Sequence, residues 1–116
     1  MVEAITPDQF PAYRIHLQAG RVEARWEQMS VDELSAGEVV IRVSHSSINY
    51  KDALAASGAG RILRRSPLVG GIDLAGEVER SSDPRFQPGA AVLVTGCGLS
   101  ETRDGTMSKR LVVTVE

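Results

Sequence analysis

The sequence predicts a mainly β fold, a partly open β-barrel carrying one or two short helices. Three observations lead there. Short runs rich in β-branched residues, several of them alternating apolar with polar, recur along the chain. Glycine- and proline-containing corners separate them. One short stretch reads as a clear helix, so strands do not alternate with long helices as a parallel α/β sheet requires.

The elements follow in order. Residues 12–17 (AYRIHL) have strand character, and QAG at 18–20 suits a tight turn. In residues 21–29, Val22, Ala24 and Trp26 alternate with Arg21, Glu23 and Arg25, which predicts a second strand with one buried face. SVDELSAGE, residues 30–38, reads as a loop. Residues 39–48 form the strongest strand, with Val40, Arg42, Ser44 and Ser46 on one face and Val39, Ile41, Val43 and His45 on the other. Asn49 is a favoured helix N-cap, and Asp52, three residues on, suits the positive end of the helix dipole. Residues 50–57 then make a short helix, closed by Gly58. Residues 58–67 (GAGRILRRSP) read as an exposed basic loop. Gly70, Gly71 and Gly76 bracket residues 72–75 and predict a strand that bends or is closely approached by other backbone. SSDPRFQPG is turn chemistry, residues 90–95 an apolar strand, GCGLSETRDG a polar loop, and residues 111–115 a last strand.

Composition bounds the function. The chain has 116 residues, 42 % of them hydrophobic and 24 % charged, enough for one small domain. A net charge of −2 gives no reason to expect nucleic acid or an anionic membrane as a partner. No apolar run approaches the roughly 18–20 residues that span a bilayer, and MVEAITPDQF lacks the pattern of a secretory signal. The single cysteine cannot pair internally. A cytoplasmic location is the expectation. One cysteine and two histidines also fall short of a zinc set, so no metal is expected, and His16 and His45 read as ordinary strand histidines.

Taken together, SSINYKDALAASGAGRILRRSPLVGGIDLAGEV, SSDPRFQPG and LVTGCGLSETRDG resemble the N-terminal GroES-like domain of zinc-independent medium-chain dehydrogenases/reductases, in the acrylyl-CoA reductase and quinone oxidoreductase branch. The resemblance runs from about residue 39 to 105. It implies NADPH-dependent reduction of an activated carbon–carbon double bond, such as that of acryloyl-CoA, or of a quinone. Where zinc-dependent relatives carry a ligand in a GHE-type motif, this chain has Gly71, Ile72, Asp73. The chain also departs from the zinc-independent pattern, with Ala90 after Pro88–Gly89, and Thr106, Met107, Ser108 and Lys109 after Gly105.

The resemblance implies a role for NYKD. Tyr50 would stand near nicotinamide and substrate as the catalytic residue, its phenol donating to the charge that develops after hydride transfer. Asn49 would hold the substrate carbonyl or the cofactor ribose. Both residues have structural alternatives, capping for Asn49 and packing beside the barrel for Tyr50, and Lys51 reads as a solvated charge. Arg61, Arg64 and Arg65 would attract a phosphate-rich substrate such as a CoA ester, or simply form a solvated loop. Cys97 reads as incidental. GGIDLAG is no dinucleotide fingerprint. The expectation is therefore a substrate-side domain, residues 1–116, with the Rossmann cofactor domain absent, no NADPH held by this chain, and negligible catalysis alone. The rival expectation is a stand-alone or engineered β-barrel module with no catalytic activity, whose final LVVTV run caps the barrel within the chain or across a homodimer, the former domain interface being the other surface open to self-association.

Overall fold

A computed structural model describes residues 9–115. Among these residues, seven strands form two sheets. They are β1 (Gln9–Gln18), β2 (Arg21–Ser30), β3 (Val39–Ser46), β4 (Leu68–Val69), β5 (Asp73–Ser81), β6 (Ala91–Thr95) and β7 (Arg110–Val113), with one helix, α1 (Tyr50–Ser57). One sheet has the order β2-β1-β4 and the other β6-β5-β3-β7. All pairings are antiparallel. The fold is mainly β, and the two sheets do not close on one another, so the barrel is partly open.

The β1–β2 hairpin turns at Ala19 and Gly20, both with positive φ (51° and 77°). That handedness matches the twist of the flanking strands. The predicted buried face of β2 is only half realised. Val22 and Ala24 are half-buried, but Trp26 is 66 % exposed. β2 lies at the edge of its sheet, so Trp26 finds only Tyr13, its ring centroid 5.3 Å away. Residues 31–33 are a short 3-10 helix rather than plain loop.

β3 serves two cores. Val40 packs with Phe10, Ala12, Met29, Leu34, Val69 and Val112. Val39 and Ile41 turn the other way, toward Leu74, Val78, Leu99, Leu111 and Val113. Its start is therefore buried on both faces, and the expected alternation of polar and apolar sides begins only at Arg42. The strand ends at Ser46, two residues sooner than the sequence suggests. β7, part of the predicted final strand, pairs with β3 inside the chain.

The segment 104–109 joins the two sheets through its backbone. Gly105 N–H donates to Val69 O (2.8 Å), Met107 N–H to Gly70 O (2.8 Å), and Tyr13 N–H to Met107 O (2.8 Å), while Lys109 O accepts from Val43 N–H (2.9 Å). A Cβ on Gly105 would overlap the carbonyls of Gly70 and Gly71, and one on Gly76 the carbonyl of Arg42. The close backbone approach expected of these glycines is present.

Asp104 anchors this segment. Its Oδ2 accepts from Ser35 N–H (3.0 Å) and Ser35 Oγ–H (3.2 Å), and its Oδ1 from Val69 N–H (2.9 Å). The carboxylate is buried. Hydrogen bonds to a charged group contribute about 1.5–3 kcal/mol, and a buried amide left unpaired costs about 1–3 kcal/mol. Asp104→Ala is expected to lower unfolding free energy by about 3 kcal/mol, read from the urea midpoint.

Candidate active site

Two different environments flank α1. The first lies at its N-terminus. Asn49 and Asp52 stand as a capping box. The Asp52 half is well formed, with Asn49 N–H donating to Oδ2 at 2.7 Å. The Asp52 N–H donates to the Asn49 backbone carbonyl (2.9 Å), and the Asn49 side chain closes no cap hydrogen bond. Its Nδ2 turns instead to Ser47 Oγ (3.1 Å) and to both carboxylate oxygens of Asp73 (3.4 Å). Ser47 also donates to Asp73. Asn49 is thus held between helix and β5, and its structural alternative is realised in part.

Tyr50 lies beside this cluster and is 80 % exposed. Its ring is not packed into the barrel, which removes the structural alternative for this residue and leaves the phenol free at the joint. Lys51 is not simply a solvated charge: its ammonium pairs with Glu101. The pairing exists because the loop 96–103 folds back over the helix start, a long-range contact that sequence spacing does not signal. The same loop engages the basic segment, through Arg64 N–H to Glu101 O (2.7 Å) and Arg65 Nη1 to Thr102 O (3.2 Å). Arg61, Arg64 and Arg65 are exposed, as the basic loop predicts. Cys97 is exposed too, with φ of 54°.

The second environment is a cavity of about 730 Å³ on the other side of α1, bounded by Tyr13, Ile15 and Trp26 of the first sheet, Asp52, Ala53 and Ala56 of the helix, and Thr106 to Lys109. Its walls are mostly apolar. Asp52 is only 5 % exposed, and its Oδ1 has no hydrogen-bond partner among the described residues; the same holds for Thr106 Oγ1 and Ser108 Oγ. Neither Asn49, Tyr50 nor the three arginines line this cavity. Sequence reasoning missed it, because its polar groups come from α1 and from a segment more than fifty residues later; the only local signal was the small-residue face Ala53 and Ala56.

Among the described residues, no group of three or more His, Cys, Asp or Glu side chains is placed to hold a metal. A nicotinamide dinucleotide fits only in part. Tyr50 is exposed beside Asn49 at the joint. The α1 N-terminus, where a diphosphate would seek backbone amides, already faces the Asp52 carboxylate and has Asp73 close by. Two carboxylates there oppose a second anion.

An antiparallel two-sheet β fold with a short α-helix at a strand end has the architecture of a GroES-like domain. The chain belongs to the alcohol dehydrogenase GroES-like domain family, whose profile matches residues 35–114. It is 41 % identical over 99 residues to the probable acrylyl-CoA reductase AcuI of Escherichia coli (strain K12), covering 85 % of this chain and 31 % of that protein. It is 41 % identical over 100 residues to the putative quinone oxidoreductase YhfP of Bacillus subtilis (strain 168), covering 86 % of this chain and 30 % of the relative. The crystal structure of the yhdH oxidoreductase from Salmonella enterica in complex with NADP superposes with a TM-score of 0.86 at 42 % identity, over 90 % of this chain and 32 % of that one. The chain therefore spans about a third of the length of the relatives it matches. No helix among the described residues is long and apolar enough to cross a membrane.

The charged face of the β1–β2 hairpin gives a pH test of the fold around the site. Burial alone would raise the Glu27 carboxyl, but hydrogen bonds from His16, Arg14 and Arg25 hold it below the usual carboxylate range. A depressed carboxylate contributes stability above its unfolded pKa, about 4.3, and loses it as pH falls through the folded value. The urea midpoint of Glu27→Gln should lie below that of the parent chain near pH 6. The two curves should converge as pH drops below about 4.

Proposed function

We propose that this domain forms the substrate-side wall of a zinc-independent, NADPH-dependent reductase acting on an activated double bond, that of an enoyl thioester such as acryloyl-CoA, or on a quinone. The observation that carries the reading is the free phenol of Tyr50, 80 % exposed at the β3–α1 joint, in a chain 41 % identical to an acrylyl-CoA reductase of Ruegeria pomeroyi.

NADPH supplies the hydride when bound to the complete enzyme. This chain's residues orient the acceptor and manage the charge that appears on it. Tyr50 Oη–H donates to the enolate oxygen, or gives its proton to the α-carbon. Asn49, whose Nδ2 donates to Ser47 and Asp73, keeps Oδ1 to accept from a cofactor ribose hydroxyl, and would bind a substrate carbonyl only by releasing one of those acceptors. Arg61 and Arg64 present guanidinium groups without a described salt bridge. With Arg65 they would draw in the phosphates of a CoA ester. A small-molecule substrate and a cytoplasmic location accord with this reading. Among the described residues the α1 N-terminus already faces the Asp52 carboxylate, so the 116-residue polypeptide by itself is expected to hold no NADPH and to turn over no substrate.

Two experiments test the reading. The first replaces the corresponding domain of an acrylyl-CoA reductase with residues 1–116. The chimera should reduce acryloyl-CoA with NADPH. Tyr50→Phe should then lower kcat about 100-fold, within the range of a lost acid catalyst, and Arg61→Ala with Arg64→Ala should raise KM for the thioester. A folded chimera in which Tyr50→Phe leaves kcat unchanged would remove the proposed role. The second titrates NADPH into the 116-residue chain while Trp26 emission is followed. No saturable change is expected at micromolar cofactor.

A further inference from the structure

The edges of the two sheets are protected unequally. The outer strand β2 carries Arg21, Glu23, Arg25 and Glu27, charges that discourage pairing with another chain. β4, at the other edge of that sheet, is two residues long. Beside β7, the Arg103 guanidinium caps the carbonyls of Ala36 and Val112. β6 has none of these devices. From Gln87 to Ser100 the sequence contains no charged residue, and the strand itself, AVLVT, contains no proline.

The free edge of β6 has a definite polarity. It pairs with β5 in a register that sets Val92 opposite Gly76 and Leu93 opposite Ala75. Val78 N–H donates to Ala90 O and Gly96 N–H to Ile72 O, each at 2.9 Å. In an antiparallel ladder the hydrogen-bonded positions alternate, so even-numbered residues turn their backbone groups toward β5. Ala91, Leu93 and Thr95 turn theirs outward. Among the described residues only the weak Cys97 thiol contact to Thr95 O (3.3 Å) reaches them. Leu93 is the middle residue of the strand, and its side chain is 80 % exposed.

We propose that β6 pairs antiparallel with β6 of a second copy about a two-fold axis at Leu93, joining two four-stranded sheets into one. Self-pairing suits this strand for two reasons. An uncharged segment meets its own copy without like-charge repulsion, which would disfavour a charged edge. A five-residue strand with its outward groups on the first, third and fifth residues is self-complementary about the third. Leu93 then faces Leu93 of the second copy, and Ala91 faces Thr95. The symmetry closes at two chains. The contact is small, so the dimer is weak and concentration-dependent. This surface differs from β7, whose pairing is already made within the chain, and the proposal stands independently of the reductase reading.

Sedimentation of the 116-residue chain across a concentration series tests it. The parent chain should show a monomer–dimer equilibrium. Leu93→Lys and Leu93→Glu change an exposed side chain and should each raise the dimer dissociation constant at least tenfold. An equimolar mixture of the two should recover the dimer, because opposite charges then face each other at the axis. A parent chain that stays monomeric up to millimolar concentration overturns the proposal. So does a dimer that Leu93→Lys leaves intact, or a mixture of the two variants that associates no better than either alone.

Discussion

The buried carboxylate of Asp104 is the constraint on which the two sheets depend. Its oxygens accept backbone and side-chain hydrogen bonds from Ser35 and the amide of Val69, thereby tying the segment after the 3-10 helix to β4. A buried charge is tolerated only when its hydrogen-bonding capacity is met. Here the donors come from segments that have no sequence proximity to one another, so satisfying the ion and fixing the tertiary arrangement are one event. Once Asp104 is placed, Gly105 to Lys109 must run between β1, β4 and β3, and that run carries the barrel from one sheet to the other.

The helix α1 divides the chemistry of the domain. Its N-terminal joint offers Tyr50 and the Ser47–Asn49–Asp73 cluster to one side. Its Asp52, Ala53 and Ala56 look into the cavity on the other. Asp52 belongs to both environments, since Oδ2 takes the Asn49 amide while Oδ1 is left without a described partner. One carboxylate thus touches both the joint and the space behind the helix.

Local chemistry was legible in the sequence where a few neighbouring residues decide the outcome. The Ala19–Gly20 turn, the helix start at Asn49 with Asp52 in its first turn, the closing Gly58 and the crowded glycines at 71 and 76 all fall in this class, although Asn49 closes no side-chain cap bond. Tertiary effects were not. Trp26 alternates correctly for burial, but an edge strand has no neighbour to cover it. β4 is too short to announce itself and exists because β1 offers Arg14 and Ile15 as partners. Lys51 finds Glu101 only after the loop 96–103 has folded over the helix. The candidate site divides the same way. Tyr50, Asn49 and the three arginines could be named from the sequence, but the support of Asn49 by Ser47 and Asp73 could not, nor could the cavity. Those depend on register and on chain reversal, which periodicity does not encode.

The seam between Gly70, Gly71 and Gly105 is main chain against main chain. Its hydrogen bonds run between backbone groups, so once glycine stands at these positions they place no demand on the chemical character of side chains farther out. The walls of the neighbouring cleft can therefore be exchanged for others, changing what is recognised there, while the skeleton that supports them keeps its shape. Constancy of frame is compatible with variation wherever the lining side chains, such as Tyr13 and Trp26, stay clear of that seam.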